Sequence, residues 1–353
     1  MGPLLAFRLL AALVLLAAAG AVVAAGQEPP DETRPETFSE SIEVSLSTLR
    51  VRAVESDGTP LRGLGPEDFR VRVGRREVRV VAADWISSAE PLGWDTPPEA
   101  LEEAGFEADP PGQLVVFFVQ PDWHFNRSRG LLRMLPRAVE IADFLAPEDR
   151  VAVVSFDTHL KLWRDFARDE ASLEEALLAA IRRERPPEEI RGEAYPSLGS
   201  HFDFDAALDA ARPETAMRLT AEAMEPLHGE KVVIYMGWGM GNLTGVGVTM
   251  PLEYRDTLAA LERARASVFV LDVSDADFHS LEVGLKKVAG DTGGEYFKTH
   301  QYPLQVTHRL ARSLGGFYLL SFEKPRLSRA AAVDVALRSL PGKVLAPRLE
   351  LRP

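Results

Sequence analysis

The sequence predicts an α/β protein with a doubly wound, mostly parallel six-stranded sheet, joined to a small antiparallel β domain built from both ends of the chain. Three observations carry this expectation. Leu114-Val115-Val116-Phe117-Phe118-Val119 is an unbroken apolar run, the pattern of a strand buried on both faces, and Pro121 ends it because proline cannot donate to a strand ladder. From Leu114 to about Phe297, apolar runs alternate with segments of helical periodicity, which implies right-handed crossovers and helices on both faces of a parallel sheet. Outside that region, stretches of period two occur before Trp85 and again after Leu314, the mark of strands with one wet face.

Residues 42–86 hold the first β unit, expected to contain about four antiparallel strands. Ile42, Val44, Leu46 and then Leu49, Val51, Ala53 alternate, Ser56-Asp57-Gly58-Thr59-Pro60 is a turn, and Phe69, Val71, Val73 alternate with Arg70 and Arg72 before Gly74-Arg75-Arg76 turns the chain into Val78-Arg79-Val80-Val81. Residues 87–112, rich in Pro, Glu and Ala, are expected to be a linker with a short helix around Pro98 to Ala104. Within 113–314 the expected strands are Leu114–Val119, Val151–Phe156, Lys231–Met236 and Ala266–Val273. Leu131, Leu132, Leu135, Val139, Ile141, Ala142 and Leu145 give a helix, as do Leu173, Ala176, Leu177 and Ile181, with Ser172 and Glu175 spaced as a capping box. Ala206 to Leu227 is helical with a break at Pro213, Tyr254 to Ala264 and Leu281 to Ala289 are helical, and Val306 to Leu314 is the last helix. The runs in 315–353, Tyr318 to Phe322, Ala332 to Leu337 and Arg348 to Leu351, cannot continue the α/β rhythm, so they are expected to pair with the first β unit.

Composition limits the function classes. The formal net charge is -13, which argues against nucleic acid or an anionic membrane surface as partner. The count of cysteine is 0, which excludes disulfides, thiolate metal sites and cysteine nucleophiles. Arg8 followed by apolar Leu9 to Val23 and the small residues Val23-Ala24-Ala25 match a secretory signal over 1–25, cleaved after Ala25, with an uncleaved membrane anchor as the alternative. Residues 26–41, polar and acidic with Pro29, Pro30 and Pro35, read as a flexible leader. The expected mature protein is exported, periplasmic or extracellular, with no membrane-spanning segment of its own.

Several stretches together resemble the von Willebrand factor type A fold, a Rossmann-like α/β architecture. Lys231-Val232-Val233-Ile234-Tyr235-Met236-Gly237-Trp238-Gly239 is similar to its fourth strand and following loop, and Val268-Phe269-Val270-Leu271-Asp272-Val273 to its fifth. Leu285 to Phe297, with Asp291-Thr292-Gly293-Gly294-Glu295-Tyr296-Phe297, is similar to its closing helix and turn. Gly63-Leu64-Gly65-Pro66-Glu67-Asp68-Phe69 and Tyr318-Leu319-Leu320 further resemble segments of exported bacterial proteins of the Acidobacteria type that carry this domain. The resemblance spans about Ile42 to the C-terminus and speaks for fold more than for activity.

That resemblance implies a metal-ion-dependent adhesion site, in which hard oxygen ligands surround Mg²⁺. Matched by position, the first loop is Gln120-Pro121-Asp122-Trp123-His124, the threonine position falls at His201 within Gly199-Ser200-His201-Phe202-Asp203-Phe204-Asp205, and the second aspartate position falls at Trp238. None of these keeps its usual residue, so the expectation is a degenerate site that needs no Mg²⁺ or other cofactor. The favoured reading is a non-enzymatic protein-interaction module binding an unidentified protein through Gln120, Asp122, Trp123, His124, Ser200, His201, Asp203 and Trp238. The alternative is a transition-metal site, Zn²⁺ for instance, on Asp122, His124 and His201.

Other candidates have bland counterparts. Trp123, Phe125, Phe202, Phe204 and Trp238 either form an aromatic binding rim or fold inward to fill the space of the lost metal site. Asp272, Asp275, Asp277 and His279 could bind Ca²⁺, but the stretch lacks the glycine and closing glutamate of a calcium loop, and a solvated loop capping the next helix is preferred. Ser155, Asp157 and His159 invite a hydrolase reading, which the absence of a strained nucleophile turn opposes. Gly237, Gly239, Gly241 and Gly245 precede no Lys-Ser/Thr and are no phosphate loop. The sequon Asn126-Arg127-Ser128 carries no assigned role.

Overall fold

The computed structural model describes residues 45–87 and 112–353, apart from 147, 191 and 193–195. The expected signal, the leader and all but the ends of the 87–112 linker, with its helix at Pro98 to Ala104, lie outside the described residues. The first β segment supplies β1 (Leu46–Val54), β2 (Phe69–Val73), β3 (Arg76–Val78) and β4 (Val80–Ser87).

The α/β region follows as β5 (Gln113–Val119), α1 (Phe125–Asp143), β6 (Arg150–Phe156), β7 (Leu160–Ala167), α2 (Glu170–Arg182), α3 (Phe204–Asp209), α4 (Pro213–Met224) and β8 (Glu230–Gly237). A hairpin of β9 (Asn242–Thr244) and β10 (Gly247–Thr249) precedes α5 (Tyr254–Ala264), β11 (Ala266–Asp272), α6 (Glu282–Asp291), β12 (Tyr296–Lys298) and α7 (Pro303–Ser313). The large sheet has 6 strands in the order β12-β11-β8-β5-β6-β7. All neighbours are parallel except β6 and β7, which form an antiparallel pair. β5 sits in the middle, and its side chains divide between two cores. Leu114, Val116 and Phe118 face α3 to α6, whereas Val115, Phe117 and Val119 face α1, α2 and α7. A two-sided strand of this kind needs the continuous apolar run that the sequence displays.

The last strands are β13 (Gly316–Glu323), β14 (Ala331–Leu337), β15 (Lys343–Leu345) and β16 (Leu349–Leu351). They join the first strands in two sheets, β15-β1-β13-β4 and β16-β14-β2-β3. Thus β1 and β4 do not pair with each other. Both flank β13, so the N-terminal strands are not a four-stranded unit by themselves. The two sheets enclose a core of Val51, Phe69, Val71, Tyr318, Leu320 and Phe322.

Three local expectations need correction. β7 was not foreseen, because Lys161, Arg164 and Asp165 interrupt its apolar pattern. Arg164 is nevertheless buried, donating from Nη1 to Val151 O, from Nε to Ser172 Oγ (2.8 Å) and from Nη2 to Asp169 O (2.8 Å). The α2 cap is Asp169, whose side chain accepts from Ser172 N, rather than a capping box started by Ser172. The helix over residues 282–291 continues through Gly290 to Asp291. Among the described residues, no helix is long and apolar enough to cross a membrane.

Candidate functional site

The carboxyl ends of β5 and β8 bring Gln120 against the backbone of Trp238 and Gly239. Gln120 is buried and uses both ends of its amide. Oε1 accepts from Trp238 N (2.9 Å) and Gly239 N (3.1 Å), and Nε2 donates to Gly239 O (3.0 Å). Its own backbone N–H donates to Met236 O at 2.8 Å, which extends the β5–β8 ladder by one residue. An amide can donate and accept at once, as this arrangement requires; a carboxylate cannot. Gly237 makes the approach feasible, since a Cβ there would lie 2.7 Å from Gln120 Oε1.

Asp122 opens the turn into α1. One carboxylate oxygen accepts from His124 N (3.1 Å), the other pairs with Arg127, and its carbonyl accepts from Ser128 Oγ (2.5 Å). Partial burial raises the Asp122 carboxyl, but the hydrogen bonds from Arg127 and His124 outweigh it and hold the group below the usual range. The Arg127 guanidinium in turn lies 3.5 Å from the centre of the Trp238 ring, a cation–π contact. Arg127 is therefore held between Asp122 and Trp238, bridging the two loops.

A second arginine stack lies beside the first. Arg183, in the left-handed conformation at the C-cap of α2 (φ 60°), donates from Nε to Asp157 Oδ2 at 2.8 Å and places its guanidinium 4.3 Å from the Trp123 ring centre. Trp123 nevertheless remains 79% exposed and Phe125 73% exposed. Phe204 is also exposed, whereas Phe202 is buried with its ring 4.9 Å from that of Phe204, and Trp238 packs onto the core beneath α1. The aromatic cluster is thus divided: Trp123, Phe125 and Phe204 face out, and Phe202 and Trp238 face in. The β9–β10 hairpin adds exposed Leu243 and Val246 beyond β8.

The loop before α3 is positioned by Asp165, buried on β7, whose carboxylate accepts from Leu198 N (2.6 Å), Gly199 N (3.0 Å) and Ser197 Oγ (2.6 Å). Ser200 donates from Oγ to Ser197 Oγ (2.9 Å), Asp203 caps α3 by accepting from Ala206 N (2.9 Å), and His201 is exposed at the end of the short turn. Sequence reasoning named the residues on these loops, and Asp157 and Arg127 in other roles, but missed Asp165 and Arg183, which help tie the loops together. For Asp165 the available signal was a charged residue inside a largely apolar strand, and for Arg183 a charged residue just past a helix end.

Among the described residues, Asp272, His279 and Glu282 form the one group of three acidic or histidine side chains with ligand atoms within 4.8 Å of one another; Asp122, His124 and His201 do not form such a group. Protein donors already serve it. Asp272 Oδ2 contacts His279 Nε2 (2.7 Å) and accepts from Tyr296 OH (2.5 Å), and Glu282 pairs with Lys286 (2.7 Å) and Lys298 (2.9 Å). Burial and both carboxylates push the Tyr296 phenol upward, so it stays a donor. Asp275 pairs with Arg129 and Arg133, and Asp277 accepts from Gln301 Nε2 and contacts His300. Of the four calcium candidates, Asp272 and His279 therefore contact each other, whereas Asp275 and Asp277 have separate protein partners. Ser155 is buried within β6 and accepts from Trp163 Nε1 (2.8 Å), while His159 turns to Thr158 (3.0 Å); the two form no nucleophile–base pair.

No family model and no curated protein matches the sequence. Among solved structures, the chain is similar to a von Willebrand factor type A protein from Catenulispora acidiphila, at 9% identity over 82% of this chain and 74% of that one, with a TM-score of 0.42. It is also similar to the vWF domain of the type V pili tip protein Mfa5 from Porphyromonas gingivalis (12% identity, 57% and 92% covered, TM-score 0.36). A third similarity is to a point mutant of the PilB minor pilin from Streptococcus sanguinis (10% identity, TM-score 0.34), where 57% of this chain spans 59% of that one. The fold itself is read from the sheet: β5 central, parallel neighbours β6 and β8, and the antiparallel edge strand β7 after β6. The chain carries a von Willebrand factor type A fold.

In this von Willebrand factor A fold, the side chains at the positions matched to an adhesion site are engaged with other parts of the protein. Gln120 has both ends of its amide engaged with the loop after β8, Trp238 supplies an indole in place of an oxygen ligand, and Asp122 is already neutralised by Arg127.

Proposed function

We propose that the protein is an exported, non-enzymatic interaction module that binds a protein partner by direct contact at the carboxyl edge of its central sheet, without Mg²⁺. One observation carries this reading. The two loops that would share a metal are joined instead by Gln120 and by Arg127 held between Asp122 and Trp238, while Trp123 on the first loop and Phe125 at the start of α1 stay exposed. Exposed aromatics held on rigid elements are the residue type that dominates interface energetics. Ser155 committed to Trp163 favours the non-enzymatic reading, and export rests on the signal-like first 25 residues.

The test is affinity capture from the native envelope with the wild-type protein beside Trp123→Ala/Phe125→Ala, each run with and without EDTA. The expected result is a partner captured by the wild type in both conditions and lost from the variant. Equal capture by both proteins overturns the aromatic surface, and loss of wild-type capture in EDTA overturns metal independence. Metal analysis of the purified protein addresses the alternative use of Asp122, His124 and His201, for which the Asp122–Arg127 pair leaves little room.

A further inference from the structure

A concavity lies at the other end of the central sheet, where β1 and β13 approach the amino end of β11. It is a cavity of about 340 Å³, within the range of small-molecule sites. Leu258, Leu261, Leu319, Leu345 and Leu349 supply an apolar wall. Arg50, Arg52, Arg265 and Arg348 line the same space, and of the carboxylates, Glu262 and Asp291 do.

Arg348 on the rim pairs with Glu350 at 3.5 Å, but the remaining arginines are incompletely matched. Asp291 is taken by Lys287 (2.8 Å) and by the Tyr254 hydroxyl (2.8 Å). Glu230, behind the wall, serves Arg50 and Arg52 together. Arg52 is only 3% exposed; it donates from Nη2 to Glu230 Oε1 (2.7 Å) and from Nη1 to Ser267 Oγ (3.0 Å), but its Nε has no hydrogen-bond partner among the described residues. A buried guanidinium N–H left unpaired is costly. The guanidinium groups are also held in place by rings: Arg50 lies 4.9 Å from the centre of Phe317 and Arg52 5.4 Å from that of Phe269. Burial, with Arg50 beside it, lowers the Arg52 guanidinium to about 9, and burial, with Arg265 nearby, lowers that of Arg50 to about 10. An anion drawn against these guanidinium groups would offset the hydration they lose on burial.

We propose that this cavity binds an amphipathic organic anion, an aliphatic carboxylate whose head meets Arg52 and Arg50 and whose tail lies on the leucine wall. Charge-assisted hydrogen bonds from the guanidinium groups supply the head recognition, and the leucines supply the contact for the tail.

Isothermal titration calorimetry of the whole protein tests this with octanoate, 1-octanol and inorganic phosphate as probes. Octanoate is expected to bind at one site. Arg52→Lys keeps a charge toward Glu230 but removes the Nε–H, and Leu319→Trp fills the tail region; each is expected to weaken binding by about tenfold or more. Arg348→Gln, at an exposed position on the rim, is expected to weaken it as well and serves if either other variant fails to fold by circular dichroism. The proposal is overturned by absence of octanoate binding or by unchanged affinity in the folded variants. Binding of 1-octanol as tight as octanoate overturns the arginine assignment, and phosphate binding as tight overturns the aliphatic one.

Discussion

Gln120 and Gly239 exchange a pair of hydrogen bonds: the side-chain Nε2 donates to the glycine carbonyl at 3.0 Å, and the glycine N–H donates back to Oε1 at 3.1 Å. The side-chain amide thus copies the pairing of a backbone amide in a sheet, adding one rung between β5 and β8 beyond their ends. Gln120→Glu keeps the shape and removes the donor, placing a carboxylate against Gly239 O in a buried site. The expected cost is about 2–3 kcal/mol, read as a lower urea midpoint with an unchanged slope. Millimolar Mg²⁺ is expected to leave the midpoint of this variant where it is, because Arg127 remains beside Asp122.

Arg127 couples the same loops from the other side. Its contacts with Asp122 and with the Trp238 face are partly buried, so they exceed a fully exposed pair in strength. A double-mutant cycle on Arg127→Ala and Trp238→Ala is expected to give a coupling energy of about 1–2 kcal/mol. A coupling near zero in denaturant melts would mean that the stack is an incidental contact.

Asp157 makes the site's acid sensitivity specific. Burial raises its carboxyl, but Lys161 on both oxygens (2.9 and 2.8 Å), Thr158 N (2.6 Å) and Arg183 (2.8 Å) outweigh this and hold it far below the usual carboxylate range. A folded-state value below that of the unfolded chain means that the protein gains stability from this group above about pH 4 and loses it as pH falls toward the folded value. Asp157→Asn is expected to cost about 3 kcal/mol at pH 7 and to flatten the fall in stability between about pH 4 and pH 2. The same substitution frees Arg183 from its anchor, so the Trp123 ring it covers is expected to become more accessible to a fluorescence quencher.

The fold was legible because β5 and β8 are buried on both faces and their sequences leave no other option. The short strands β9, β10 and β12 were hidden, since each has 3 residues and no periodicity can be seen in so few. β7 was hidden for another reason: Arg164 and Asp165 look like solvent-facing residues in sequence, but both are buried because each satisfies backbone groups of a neighbouring segment. At the candidate site, the sequence located Gln120, Asp122 and Trp238 by position along the fold. It could not show that Gln120 would bind a loop or that Arg127 would fill the gap, because both depend on side-chain directions set by distant strands. The inward turn of Phe202 and Trp238 and the outward turn of Trp123 and Phe125 belong to the same class: pattern alone does not fix which way a loop aromatic points.

Tyr318 provides a test of how the two ends of the chain are locked into one β domain. Its ring is buried edge-on between Phe69 (5.2 Å) and Trp85 (5.0 Å), both from the N-terminal segment. Its hydroxyl donates to Leu61 O (2.8 Å) and accepts from Leu64 N (3.0 Å), which fixes the loop between β1 and β2 onto β13. Tyr318→Phe retains the ring packing and removes only the hydroxyl, leaving the Leu64 N–H without its partner. The expected loss is about 1–3 kcal/mol, with faster amide exchange at Leu64 than in the wild type and no change at the β5–β8 ladder. Uniformly faster exchange across the central sheet would instead show that the terminal β domain and the α/β unit unfold as one cooperative body.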